Sequence, residues 1–537
     1  MKINKIKKFK KVIAVAVSAV MLSGVLAGCG SGMFADTSSS ETSGLTPLKI
    51  MLMGKEPAGF SEVLKEFENK TKDTLGVKLD IEWCAQGDMK SKLQLRMASG
   101  EEYDMVFDAP FLNLRQHSSS GLYQPLESYF NNPEYPGLQK AFSDKIVNLN
   151  YMFDHLYAVP IMRTYGNGID CVYYRKDLAE KYNIGEIDSY EKLQQYYDAI
   201  KQNDPSMIPI SLKDNRGFYS MFRPNDADMS KKHIAKISAG GPFFNILLDD
   251  KNEKIVSVAM EGDATEKFSN FPEPYKNGTG TQRLEKIREW NKYAEPDSVS
   301  QKDPASQFAG GKAASFVDNY DGYEVNKTKL KASIPEAELG TFIMVDDVRE
   351  MKEGARSATY MSNNYLAIPT TSHKIDKTMK FLDWLFASEE NHNLFELGIE
   401  GKDWEKVGDD QFKFPEGVDS SNAYTFPGYL MTWNPTYVRF PNTLEPKILE
   451  YKKYDLKESS YIESPLAGFI FDSTNVKTEL AKVKPILDEA YNPLEHGVLD
   501  NPVETQKLNT AKARENGLNE IEAELVKQLN TFLSKKK

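Results

Sequence analysis

Cysteine is almost missing from this chain: three in 537 residues, at Cys29, Cys84 and Cys171. That excludes a disulfide framework. Cys84 and Cys171 each fall in an apolar, strand-like run; they read as buried free thiols, with pairing outside the cell as the alternative. Histidine is scarce too, six in all, and none has metal spacing. There is no H-E-x-x-H and no G-x-S-x-G, so the commonest zinc-protease and serine-hydrolase arrangements are absent. A phosphate-binding G-x-x-x-x-G-K-[ST] loop is missing as well, because Ser306 stands where Gly311-Lys312 would need its first glycine. Neighbouring acids such as Asp346-Asp347 and Glu389-Glu390 point different ways and read as solvated surface, not as an acid/base pair. Positive charge is in deficit, with a formal net charge of −11, which argues against nucleic acid and against broad contact with anionic lipid. Beyond the first thirty residues no apolar run approaches membrane-spanning length.

What is present begins at the N-terminus. Met1–Lys11 holds six lysines and no acid, and Val12–Ala27 is a 16-residue apolar run. That order is a secretory leader. It closes on Leu26-Ala27-Gly28-Cys29, which resembles the lipobox of bacterial lipoproteins. The resemblance implies cleavage after residue 28 and a lipid on Cys29, with each buried methylene adding ~0.8 kcal/mol of membrane affinity. Removing six leader lysines and no acids takes the formal charge from −11 to −17. Residues 29–47 are rich in Ser, Thr and Gly and read as a flexible tether. The expected location is therefore the outer face of the cell membrane.

The body is too long for one small core, so two large lobes are expected. Leu48–Met53 and Val77–Cys84 are strand-like, as is the short run Asp104–Phe107. Between them Phe60, Val63, Leu64 and Phe67, then Met89, Leu93 and Met97, recur at helical spacing. This βαβαβ order is that of a parallel sheet with helices on both faces, which binds ligands at the carboxyl ends of its strands. Those ends are the loops Gly54–Gly59 and Asp108–Phe111.

The segments FSEVLKEFENKT, KLQLRMASGEEYDMVF, HLYAVPIMRTYG, CVYYRKDLAEKYNI, FAGGKAASFVDNYDG and NNYLAIPTTSHKIDKTMKFLDWLFASEENHNLFELGIEGKDW follow one another in the chain. In this order they resemble the family 1 extracellular solute-binding proteins, the maltose-binding type. The tail resembles that of the long lipoprotein members from Gram-positive sugar importers. The resemblance implies an α/β, two-lobed periplasmic-binding-protein-like fold of type II. Each lobe would be a central sheet flanked by helices, with a helical C-terminal region. It implies lobe 1 from residues 48–165 and 361–408, lobe 2 from 166–360 and 409–537, and hinge crossings at Arg163–Asp170 and Thr359–Tyr365. Its implied partners are a carbohydrate, two membrane permease subunits and a cytoplasmic ATPase, for a monomer with no cofactor. Some relatives carry a calcium loop after Asp-Pro; here Asp204-Pro205 runs straight into Ser206-Met207-Ile208-Pro209, so no metal is expected.

Sugars offer apolar C–H faces ringed by hydroxyls, and aromatic planes with charged or amide neighbours match them. Most of the 27 Tyr, 28 Phe and 5 Trp must be core, so position has to choose. Tyr320, with Asp318 and Asn319, lies in the segment that resembles the family's aromatic platform; a packed strand end is the alternative. Trp433 and Asn434 follow, expected on the second-lobe side. Lys55 and Glu56 follow the first strand, and Asp108 and Phe111 the third. Arg163, Tyr165 and Asn167 line the first crossing. Lys213, Asp214 and Arg216 form a polar loop that reads better as solvated, and Trp83, Trp290 and Trp384 read as core. Two other readings stay open: a binding protein for a peptide or other polar solute, and an anchored glycan-active enzyme.

Overall fold

The computed structural model describes residues 44–166, 168–278, 280–418 and 422–535. The leader, Cys29 and Asn167 lie outside the described residues. The chain begins with β1 (Thr46–Met53), β2 (Val77–Cys84), β3 (Met105–Asp108) and β4 (Ala158–Pro160). Thr46 and Pro47, expected in the tether, already belong to β1, with Thr46 opposite Val77. Pro47 is tolerated there because β3 joins β1 only at Ile50 and Met51, so its missing N–H costs no ladder bond. Two helices connect the strands. Phe60–Thr71 buries Phe60, Val63 and Phe67, and Gln86–Ser99 buries Met89, Leu93 and Met97, the faces that the periodicity marked. Each such apolar side chain contributes roughly 1.5–3 kcal/mol when fully buried.

The second lobe holds β5 (Asp170–Arg175), β6 (Ile234–Ser238), β7 (Phe243–Leu248), β8 (Ile255–Ala259), β9 (Ser315–Asn319) and β10 (Leu339–Ile343). β5 pairs antiparallel with both β10 and β9, while β6–β7–β8 form a separate antiparallel meander. Helices Lys477–His496 and Asn519–Lys535 lie against that meander, packing Val483, Ile521, Leu525, Leu529 and Leu533 on Phe244, Ile246 and Leu248. Cys84 and Cys171 are buried free thiols in different cores.

β11 (Arg356–Ala358) lies at the boundary between the lobes, and β12 (Tyr365–Ala367) is inserted antiparallel between β3 and β4. The first-lobe sheet thus runs β2-β1-β3-β12-β4 and is complete only when the chain has returned from the second lobe. The return is longer than expected. Tyr424, Phe426, Leu430, Met431 and Tyr437 are buried in the same core as Phe60 and Phe107. The Tyr424 hydroxyl donates to Phe395 O at 2.8 Å and that of Tyr437 to Phe386 O at 2.7 Å. The first lobe therefore extends to about residue 437, not 408, because this aromatic run buries itself against helices Ile375–Ala387 and Glu389–Glu396. Phe440 then joins the core of Tyr320 and Tyr451. The crossings touch one another: Tyr360 N–H donates to Tyr165 O at 3.2 Å, and the Tyr165 ring sits 5.5 Å from Tyr360 and 5.7 Å from Tyr461.

Candidate functional site

The first-lobe strands end in a row of loops. Lys55 and Glu56 follow β1 and are exposed. Asp108 ends β3 but does not face solvent. Its Oδ1 accepts the Ala109 N–H at 2.7 Å, and its Oδ2 accepts the Tyr123 hydroxyl at 2.6 Å and lies 2.8 Å from His117 Nδ1. Fully buried, this carboxylate is consumed by its own lobe, which corrects the expectation that it meets ligand. Phe111, three residues on, is 55% exposed.

Trp433 is also placed differently from expectation: it belongs to the first lobe. Its carbonyl accepts the Met162 N–H at 3.1 Å, and its ring packs on Tyr429 at 5.9 Å, which in turn meets Phe107 of β3 at 6.2 Å. The turn that presents it is anchored on both sides. Thr432 O lies 2.8 Å from His392 Nε2, and Asn434 donates to Ala141 O at 3.0 Å while accepting Thr436 N–H at 2.9 Å. Asn434 is thus buried and structural, another correction. Gly428 is required beneath the indole, since a Cβ there would collide with the Trp433 ring. Trp433 itself remains half-buried, as does Tyr429.

Arg163 leads from this aromatic pair into the second lobe. Its guanidinium lies 5.9 Å from the Trp433 ring and acts electrostatically on Asp321 and Lys452. Lys452 pairs with Asp321 at 2.6 Å, and the Asp321 side chain keeps 52% exposure. Loss of solvation is nonetheless the largest influence on that carboxyl; Lys452, then Arg163 and Arg356, outweigh it and hold the group below the usual carboxylate range. Burial holds the Lys452 ammonium below its ordinary range despite Asp321.

Asp318 is exposed, and its carboxylate accepts Asn319 N–H at 2.7 Å. Asn319 accepts Asp321 N–H at 2.9 Å, shaping the turn. Tyr320 is 1% exposed, with its hydroxyl donating to Ile448 O at 2.9 Å and its ring against Tyr451 at 6.0 Å. It is a core residue, contrary to expectation, because helix Pro446–Leu456 covers it. Tyr165 is half-buried in the crossing cluster, and burial pushes its hydroxyl up. Lys213 and Arg216 are exposed and Asp214 is half-buried. Trp290 is 2% exposed, whereas Trp83 and Trp384 are only partly buried.

A further second-lobe patch carries the same chemistry and escaped sequence reasoning. Phe243 is 50% and Tyr491 38% exposed. Tyr219 sits 6.4 Å from Tyr491, and Lys236 donates to its hydroxyl at 3.1 Å while lying 5.3 Å from the Phe243 ring. Arg223 stands nearby, ion-paired with Asp226 at 2.8 Å. These residues come from four separate stretches of chain, so no local motif announces them. Exposed rings beside cations and hydroxyls suit a polar ligand with apolar faces.

The family described as bacterial extracellular solute-binding protein matches residues 53–392. The chain belongs to that family. Residues 465–534 match a second description, a domain of unknown function, and correspond to the helical region packed on the meander. This solute-binding protein is similar to a carbohydrate ABC transporter substrate-binding protein of Streptococcus pneumoniae. The two are 24% identical over 99% of this chain and 100% of the relative. Its fold is also that of the N-glycan transport solute-binding protein NgtS from Streptococcus pneumoniae, at 20% identity and TM-score 0.69 over 92% of this chain and 100% of that one. NgtS in complex with Man1GlcNAc matches at 20% identity and TM-score 0.60 over 91% of this chain and 100% of that one. Among the described residues no helix is long and apolar enough to cross a membrane.

Proposed function

We propose that this solute-binding protein captures an extracellular oligosaccharide between its lobes and delivers it to two permease subunits driven by a cytoplasmic ATPase. In this reading it works as a monomer without catalysing a reaction, and a lipid on Cys29 holds it to the outer face of the membrane. The observation that carries the reading is Trp433. It stands half-buried beside the end of β4, 5.9 Å from the guanidinium of Arg163, whose charge also acts on the Asp321–Lys452 pair of the other lobe. An aromatic plane flanked by charged hydrogen-bonding groups matches a sugar ring better than it matches a peptide terminus. The sugar-transport names of the relatives favour the same cargo.

Calorimetric titration with Man5GlcNAc, a neutral N-glycan core, should give one saturable site. The same ligand at about 100 times its Kd should stabilise the protein by about 2.7 kcal/mol. Binding of peptides in place of any oligosaccharide would overturn the carbohydrate reading. The anchor is tested separately: radiolabelled palmitate should enter the wild-type protein, and Cys29→Ala should abolish labelling and release the chain. Equal labelling of the variant would remove the lipoprotein assignment.

A further inference from the structure

Arg115 lies outside the site built above, on the short helix Leu114–Ser119 that follows the turn Pro110–Leu112 at the end of β3. Its Nη1 is buried and has no hydrogen-bond partner. Among the described residues it has no ion pair. Loss of solvation dominates its environment and holds the guanidinium below its ordinary range, offset only in part by Asp472. Asp472 does not close on it; that carboxylate accepts the Thr474 N–H at 2.9 Å.

Beside Arg115 stands an aromatic plane. Its guanidinium lies 5.1 Å from the centre of the Phe153 ring, which is 42% exposed. Phe153 and Asp154 both have positive φ, 52° and 74°. They form a tight turn closed by Met152 N–H to His155 O at 2.7 Å and His155 N–H to Met152 O at 3.1 Å. Such turns favour Asn-Gly, so a phenylalanine here is held at a steric cost. Lys535 at the end of the C-terminal helix pairs with Asp154 at 2.8 Å. Arg115 and Phe153 therefore lie where the first lobe meets the C-terminal helical region.

We propose that Arg115 and Phe153 form a subsite for a carboxylate-bearing sugar unit of the cargo, the ring lying on Phe153 and the carboxylate against the guanidinium. This rests on the carbohydrate reading above. The charge decides between an acidic and a neutral sugar. A neutral hydroxyl at the accessible side of the guanidinium would leave a desolvated cation only partly compensated by Asp472, whereas a carboxylate supplies the opposite charge and matches the planar fork. In a chain of net charge −11, an anionic ligand also needs a local cation to offset general repulsion.

The test uses one biantennary glycan in two forms, with neutral galactose ends and with terminal sialic acid, titrated into the wild-type protein and into Arg115→Gln. The wild-type protein should prefer the sialylated form by about tenfold or more, a difference of ~1.4 kcal/mol. Arg115→Gln should lose that preference while keeping its affinity for the neutral form. Arg115→Lys, which keeps the charge but not the fork, should retain part of the preference. Equal affinity of the wild-type protein for both forms would overturn the subsite. So would an equal loss for both forms in Arg115→Gln, which would make Arg115 a general closure contact. Binding of Man5GlcNAc with no binding of either biantennary form would overturn the subsite and leave the carbohydrate reading standing. Failure of all three glycans would overturn both.

Discussion

Trp433→Ala should weaken oligosaccharide binding by at least about tenfold while leaving the unliganded melting temperature within a few degrees of wild type. Truncating a central aromatic contact commonly costs ~2 kcal/mol or more of binding, and every ~1.4 kcal/mol is a factor of ten. The stability cost is expected to be modest because the indole is half-buried at the margin of the first-lobe core, with Tyr429 and Arg163 as its ring and cation neighbours. The turn that carries it is held by Thr432 and Asn434, so the main chain should stay in place when the ring is removed. Trp433→Phe keeps a smaller plane and should fall between the two. Calorimetry and thermal melting of the same samples check both halves of the result. Unchanged affinity in Trp433→Ala would take the ring out of the binding surface and remove the main support for the proposed site.

The second large effect is on folding. Asp108→Ala should destabilise the first lobe by about 3 kcal/mol or more, since it removes the acceptor for three buried partners: the Ala109 N–H, His117 and the Tyr123 hydroxyl. Leaving a buried donor unsatisfied costs ~1–3 kcal/mol each. Asp108→Asn keeps one acceptor oxygen and should cost less. Because Asp108 anchors the segment that carries Phe111 and Arg115, whatever still folds should also bind more weakly, as a consequence of a displaced loop. Thermal melting monitored alongside binding separates the alternatives. A variant that melts like wild type yet binds no ligand would make Asp108 a direct ligand contact, as its place at a strand end suggested.

The two variants contrast residues that sequence position alone treated alike. Asp108 ends a strand and Trp433 lies in a loop between Thr432 and Asn434, both places expected to face a ligand. One is spent inside its lobe, and the other keeps an open face. Tyr320 makes the same point: in the sequence it stands beside two polar residues after a strand, yet its hydroxyl is satisfied by Ile448, 128 residues away. Asn434 likewise looks like a ligand-facing amide until Ala141, 293 residues distant, accepts its N–H. Arg163 was legible as a boundary residue. Its neighbours, the Trp433 ring at 5.9 Å and the charges of Asp321 and Lys452 on which it acts, were not.

By itself the sequence determined what depends on near neighbours. Phe60, Val63 and Phe67, and then Met89, Leu93 and Met97, repeat at the helical period and bury the faces that period selects. The alternation of strand and helix dictated a parallel opening sheet, and the ordered motifs indicated two lobes. The tertiary structure decided where the lobes divide and which polar groups are left for a ligand. β12 enters the first sheet more than two hundred residues after β3, and residues 424–437 return to the first core through aromatic burial that no local pattern specifies. A side chain's availability depends on whether some distant segment has already claimed its hydrogen bonds or its surface. That is a property of contacts across the fold, and it is what separates Asp108, Tyr320 and Asn434, whose polar groups are claimed by distant or buried partners, from Trp433, which stays half-buried.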